Sequence, residues 1–201
     1  SSMTTNSYFD LDGKVALITG GAGLLAQEYA VALATYGAIV YLADINPDKL
    51  KLVTASLSDN DIEVNLLIFD VSDEIGWETA VNEILDREGT LDILVNNAGY
   101  TNHTGHINYS KPAECFPLTT WDDIIKVNLT GSFLGCKVVG QKMLTANKGT
   151  IINIASLYGV VSPHHPLYQD SDVSQPVAYS VSKSGVISLT KYLGSLWGRK
   201  G

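Results

Sequence analysis

Short apolar runs alternate along the chain with segments whose apolar residues return every three or four positions. Runs at 14–19, 39–43, 64–69, 91–95 and 150–154 are rich in Val, Ile and Leu, and read as strands. Between them, 24–36, 47–57, 73–87, 121–147 and 178–197 carry helical spacing, the second with Pro47 at its start. Strict β–α alternation predicts parallel strands joined by right-handed crossovers, with helices on both faces. The expected fold is α/β: a doubly wound parallel sheet in a three-layer α/β/α sandwich, one domain over 1–201. Two long segments, 100–120 and 156–177, follow strands and therefore lie at the carboxyl edge of the sheet, where open α/β sheets hold ligands.

Composition narrows the partners. Of 201 residues, 45% are hydrophobic and 17% charged, in keeping with a folded domain. A net charge of −8 lacks the basic footprint a nucleic-acid surface needs. No apolar run reaches membrane-spanning length and no basic amphipathic segment is present, so neither nucleic acid nor membrane is an expected partner. Cys115 and Cys136 have neither metal-type nor redox-type spacing, which points to reduced thiols in the cytoplasm, Cys136 as a small core residue. Ser1-Ser2-Met3 reads as an appended leader outside the fold.

Gly21-x-Gly23-x-x-Ala26 follows the first strand and opens the first helix. In that context G-x-G-x-x-G/A binds dinucleotides: the turn lets the backbone approach a pyrophosphate while the helix N-terminus offers N–H donors. No Lys-Ser/Thr pair follows, which removes the P-loop alternative. Asp44 ends the second strand, 24 positions after Gly20, close to the ~20 expected of a ribose-binding carboxylate. It can accept both ribose hydroxyls and would repel a 2′-phosphate, so the expected cofactor is NAD rather than NADP. A helix-capping role for Asp44 is the structural alternative. S-adenosylmethionine methyltransferases share a glycine turn and an acidic residue, so the second half of the chain has to decide.

There, Tyr179 and Lys183 stand one helical turn apart on one face. An ammonium beside a phenol favours the ionised form and equips it to exchange a proton with a substrate oxygen. Asn128 interrupts an otherwise apolar helical stretch, where Asn is a poor choice unless it has a task. Ser156 ends the fifth strand.

Jointly these motifs resemble the short-chain dehydrogenase/reductase family, with its NAD(P)-binding Rossmann fold, along almost the whole chain. Residues 9–20 are similar to the family's opening strand and Asp70-Val71 to the pair that meets the adenine. Asn96-Asn97-Ala98-Gly99 matches its N-N-A-G, and Ile152-Asn153-Ile154-Ala155-Ser156 the strand that delivers a catalytic Ser. The resemblance implies catalytic roles for Asn128, Ser156, Tyr179 and Lys183. Tyr179 would be general acid/base, Lys183 its partner and a ligand of the nicotinamide ribose, Ser156 an oxyanion donor, and Asn128 the holder of a relay water. It implies cofactor contacts from Gly20, Gly21, Gly23, Leu24, Leu25, Asp44, Ile45, Asp70, Val71, Asn97, Ala98, Gly99, Tyr179 and Lys183. No metal is expected. The expected activity is NAD-dependent oxidation or reduction of a hydroxyl or carbonyl group on a polar, sugar-like small molecule; the alternative is a dinucleotide-binding sensor or scaffold without turnover.

Departures from the family pattern refine this. Leu24 stands where the commonest glycine pattern has Gly, giving the spacing of relatives that act on nucleotide sugars. Ser156 and Tyr179 are 23 positions apart, more than usual, so a segment near 163–176 must loop out. The chain stops soon after the Tyr/Lys helix, short of the family's usual length, and reads as C-terminally truncated. Its turn and the Pro176-Val177-Ala178-Tyr179 approach are similar to oxidoreductases of flagellin modification and surface-sugar synthesis. All four histidines (His103, His106, His164, His165) fall in the two long loops. Asn102, His103, His106, Asn108, Tyr109 and Lys111 make the first of these polar without acidic residues up to Pro112, which suits a polar or anionic substrate such as a sugar or nucleotide sugar; a plain solvated loop is the alternative. Helices 121–147 and 178–197 look apolar nearly all round, with Gly131, Gly135 and Gly140 as close-approach positions, which predicts a homodimer through this pair and a tetramer at full length.

Overall fold

A computed structural model describes residues 9–100, 109–163 and 175–201. Five parallel strands form one sheet in the order β3-β2-β1-β4-β5. They are β1 (Val15–Thr19), β2 (Ile39–Asp44), β3 (Asn65–Ile68), β4 (Ile93–Asn96) and β5 (Thr150–Asn153). The order reverses between β1 and β4, which opens a crevice at their carboxyl ends, the switch point of a doubly wound sheet.

Strand residues alternate between two cores. On one face Ile18, Val40, Leu42 and Val95 meet α1 (Leu24–Thr35) and α2 (Pro47–Ser58) through Ala26, Ala30, Leu50 and Val53. On the other, Leu17, Tyr41 and Leu94 meet α3 (Glu74–Glu88) and α5 (Gly131–Ala146) through Trp77, Val81, Ile84, Leu134 and Val139. The helix starts are set locally. Asn46 caps α2 by accepting from the Lys49 amide at 3.0 Å, with Pro47 at the first helical position, and Asp73 caps α3 by accepting from the Ile75 amide at 3.2 Å. The α/β/α sandwich is therefore as expected.

Three expectations change. The helix predicted over 121–147 begins at Leu118, behind Pro117, and is not continuous. It comprises α4 (Leu118–Ile125), a π-helical turn at Lys126–Thr130, and α5. The segment predicted to be irregular holds a 3-10 turn at Ala113–Cys115. The glycines of α5 also have a different purpose from the one expected. A Cβ at Gly131 would lie 2.9 Å from Val71, one at Gly135 would lie 2.8 Å from Trp77, and one at Gly140 would lie 2.8 Å from Trp197. They let the chain's own side chains in, and carry no argument for a subunit contact. Leu134, Val138 and Val139 are likewise used up in the core, while Phe133, Tyr192 and Leu196 remain exposed. Cys136 is buried as expected and Cys115 is exposed; both are free thiols.

Candidate active site

The turn after β1 is shaped for close backbone approach. Gly20 has φ +66°, and a Cβ there would lie 2.8 Å from Ala98 Cα, so only glycine fits. The Gly21 amide donates to Ala43 O at 2.9 Å and the Gly23 amide to Gly20 O at 3.0 Å, which folds the turn against β2. Gly23 is the N-cap of α1 and brings no capping side chain, leaving the first-turn amides at the mouth of the crevice. Leu24 and Leu25, expected at the cofactor, hold exposed positions in that first turn.

Asp44 turns back to the glycine loop. One carboxylate oxygen accepts from the Ala22 amide at 3.0 Å, the other from the Asn46 amide at 2.9 Å. It does not cap α2, because Asn46 does. Ile45 beside it is exposed. On the other side of the crevice, buried Thr19 clamps the N-N-A-G segment. Its hydroxyl oxygen accepts from the amides of Asn97 and Ala98, both at 3.1 Å, and its proton goes to Val95 O at 3.4 Å. The Asn97 side chain donates to Thr19 O at 3.1 Å. Asp70 accepts from the Ser72 amide and hydroxyl at 2.8 and 2.7 Å. Val71 is drawn into the core, with its carbonyl accepting from the Trp77 indole at 2.8 Å, so its side chain is spent on packing.

The four expected catalytic residues come from three elements. Tyr179 and Lys183 lie on α6 (Val177–Trp197), which starts behind Pro176. The Lys183 ammonium is 5.7 Å from the centroid of the Tyr179 ring and donates to Ile154 O at 2.7 Å. Lys183 is buried, and this desolvation lowers its pKa to about 8. Ser156 opens a 3-10 turn, Leu157–Gly159, accepting from the Tyr158 amide at 3.2 Å. That turn is fastened to α6, where Ser184 Oγ donates to Gly159 O at 2.7 Å, and a Cβ at Gly159 would lie 2.8 Å from the Lys183 carbonyl carbon. Ser156 is thus held beside the helix that carries Tyr179 and Lys183.

Asn128 is fully buried inside the π-helical turn, a feature that concentrates at functional sites. Its Oδ1 accepts from the Tyr100 amide at 2.7 Å and its Nδ2 donates to Ser182 Oγ at 3.2 Å. A Cβ on Gly99 would meet both Asn128 Oδ1, at 3.3 Å, and Lys183 Nζ, at 3.8 Å. The bare Gly99 backbone is therefore where the two residues converge.

The site uses groups the sequence reading passed over: the Thr19 hydroxyl, the Ile154 carbonyl and the Ser182 hydroxyl. Of these only Ser182 left a trace, standing three positions after Tyr179 and so on its face of the helix. The four histidines, Asn102 and Asn108 lie outside the described residues. Among the described residues no cluster of three or more His, Cys, Asp or Glu side chains can hold a metal ion, and no helix is long and apolar enough to cross a membrane. A cavity of about 220 Å³ lies elsewhere, between α5, β5 and the end of α6, lined by Cys136, Met143, Ile151, Leu193 and Trp197.

The cradle suits a dinucleotide: an uncapped helix end, a turn without side chains and a carboxylate at the end of β2. Comparison with known proteins agrees. The pattern of the short chain dehydrogenase family matches residues 14–201. The D-threitol dehydrogenase of Mycolicibacterium smegmatis is 36% identical over 193 residues, covering 96% of this chain and 68% of the relative. The cyclopentanol dehydrogenase of Comamonas testosteroni is 34% identical over 181 residues, covering 90% and 66%. The structure of NAD+-bound xylitol dehydrogenase superposes with a TM-score of 0.82 at 29% identity, over 95% of this chain and 67% of that one. The gluconate 5-dehydrogenase of Burkholderia cenocepacia in complex with NADP and tartrate gives 0.79 at 30% identity, over 96% and 69%. The chain thus spans about two thirds of the length of these relatives. A family pattern matched from residue 14 to residue 201, and a curated relative above 30% identity across nearly all of that stretch, make this chain a member of the short-chain dehydrogenase/reductase family of NAD(P)-dependent oxidoreductases.

Proposed function

We infer that this chain carries the cofactor cradle and catalytic residues of an NAD-dependent dehydrogenase acting on a hydroxyl or carbonyl group of a polar, polyol-like or sugar-like molecule. The observation that carries this reading is the convergence of Asn128 and Lys183 on Gly99, with Tyr179 on the same helix as Lys183 and the Ser156 turn fastened to that helix. Nicotinamide, when bound, supplies the hydride chemistry. The protein's own part is to place and move a proton. Tyr179 stands as the acid/base at the substrate oxygen. Lys183, held by Ile154 O, brings a positive charge against the phenol from a desolvated position, where Coulomb attraction is stronger than in water. Ser156 offers a hydroxyl to the substrate oxygen as charge develops there. Asn128 spends its side chain on holding the Gly99-Tyr100 segment to α6.

Asp44 favours NAD. Its carboxylate is pre-set by two backbone amides at the rim of the turn, and a 2′-phosphate there would meet a like charge with no Arg or Lys in the glycine turn to offset it. The polyol assignment is supported by the names of relatives, which include threitol, xylitol and gluconate dehydrogenases. Calorimetric titration tests the cofactor half. NAD is expected to bind at least tenfold more tightly than NADP, and Asp44→Asn to narrow that gap. Equal affinities in the parent would refute the role of Asp44. For the substrate half, threitol, xylitol and gluconate are offered with NAD and the NADH absorbance band is followed. Cofactor binding without turnover of any polyol, sugar or simple alcohol would favour the sensor alternative.

A further inference from the structure

We propose that Ser182 is a positioning residue of this site: its hydroxyl links the Asn128 carboxamide to the Tyr179 end of α6. The inference rests on the oxidoreductase reading above. It comes from the polarity of a buried chain of hydrogen bonds. The Tyr100 amide can only donate, so the Asn128 atom facing it at 2.7 Å is the oxygen. That fixes the amide orientation and turns Nδ2 toward Ser182 Oγ, 3.2 Å away. The Tyr179 carbonyl can only accept, so the Ser182 proton points to it, at 2.7 Å, and a lone pair faces Nδ2. Each link thus has one possible direction. The chain runs from the segment after β4, through the π-helical turn, to the first turns of α6, joining three elements that contribute to the site.

Both side chains are fully buried, with 0% exposure for Asn128 and for Ser182. Water therefore does not stand in for a lost partner, and a buried donor left unpaired is costly. Alanine at 182 would leave Nδ2 without its acceptor and free the amide to turn. That slack reaches the reacting region directly, because Gly99 is flanked by Asn128 Oδ1 and by Lys183 Nζ. Rates at such sites fall steeply when reacting groups shift by a fraction of an ångström to an ångström. A serine that only back-bonds to its own helix would affect stability and leave these relations alone.

The test compares the parent with Ser182→Ala, Asn128→Ala and the double variant. With NAD and a turned-over polyol, Ser182→Ala is expected to lower kcat on the order of tenfold, with KM for NAD and polyol within about twofold of the parent. In the Asn128→Ala background the same change is expected to cost less than about twofold, since its route is already cut. Hydrogen exchange of the Tyr100 amide gives a reading independent of turnover: it is expected to quicken on the order of tenfold in Ser182→Ala. A kcat within twofold of the parent, a multiplicative loss in the double variant, or an unchanged Tyr100 exchange rate would each overturn the proposal. A parent that binds NAD yet turns over no alcohol would instead count against the oxidoreductase reading, and the exchange experiment would still judge Ser182.

Discussion

Burial of Lys183 has a consequence that can be measured without a substrate. Its pKa falls from 10.5 to about 8 through desolvation. Between these values the unfolded chain holds a proton that the folded chain lacks, so stability rises with pH across that window. Below pH 8 the folded protein carries the whole cost of a buried ammonium, roughly 3 kcal/mol at about 1.4 kcal/mol per pH unit of difference. Lys183→Met keeps the length of the side chain and removes the charge. Urea unfolding of parent and variant at pH 7 and pH 10 isolates the term, because all other titrating groups are common to both. The parent is expected to gain about 2–3 kcal/mol on the variant as pH rises. The hydrogen bond to Ile154 O survives deprotonation, since a neutral amine still donates, but it is stronger from the ammonium and so offsets part of the gain. A difference between parent and variant that stays flat within about 0.5 kcal/mol over this range would refute the desolvation argument.

Two further expectations bear on packing and assembly. Gly135→Ala would press a methyl group onto Trp77 and the Asn96 side chain, and is expected to cost about 1–3 kcal/mol in denaturant unfolding; a neutral effect would mean that α5 stands off the sheet. Self-association through α5 and α6 is expected to use the exposed Phe133, Tyr192 and Leu196, so light scattering at micromolar concentration should give a dimer and Tyr192→Glu a monomer. A monomeric parent would end that proposal.

Much of the fold was legible because parallel strands buried on both faces read as unbroken Val/Ile/Leu runs, as in Val15–Thr19. The glycine turn was legible because its spacing serves one backbone geometry, and the Tyr179/Lys183 pair because four positions make one helical turn. What escaped depends on tertiary contacts. The π-helical turn at Lys126–Thr130 is a change of hydrogen-bond register that no periodicity announces, although Asn128 marked its position. The direction in which Gly131, Gly135 and Gly140 face is set by Val71, Trp77 and Trp197, which are remote in sequence. Thr19 and Ser182 are ordinary residue types whose partners Asn97, Ala98 and Asn128 lie 54 or more positions away, so their roles appear only once the strands and helices are assembled.

The central claim is that Tyr179 moves the proton at the substrate oxygen. Tyr179→Phe keeps the ring and removes the hydroxyl. Initial rates at the NADH band, with NAD and an accepted polyol, should fall on the order of 10²–10⁴-fold, as for loss of an acid/base catalyst. The calorimetric affinity for NAD should stay within about twofold, since the cradle of Gly20, Gly23 and Asp44 is untouched. A variant that turns over within a fewfold of the parent would contradict the account.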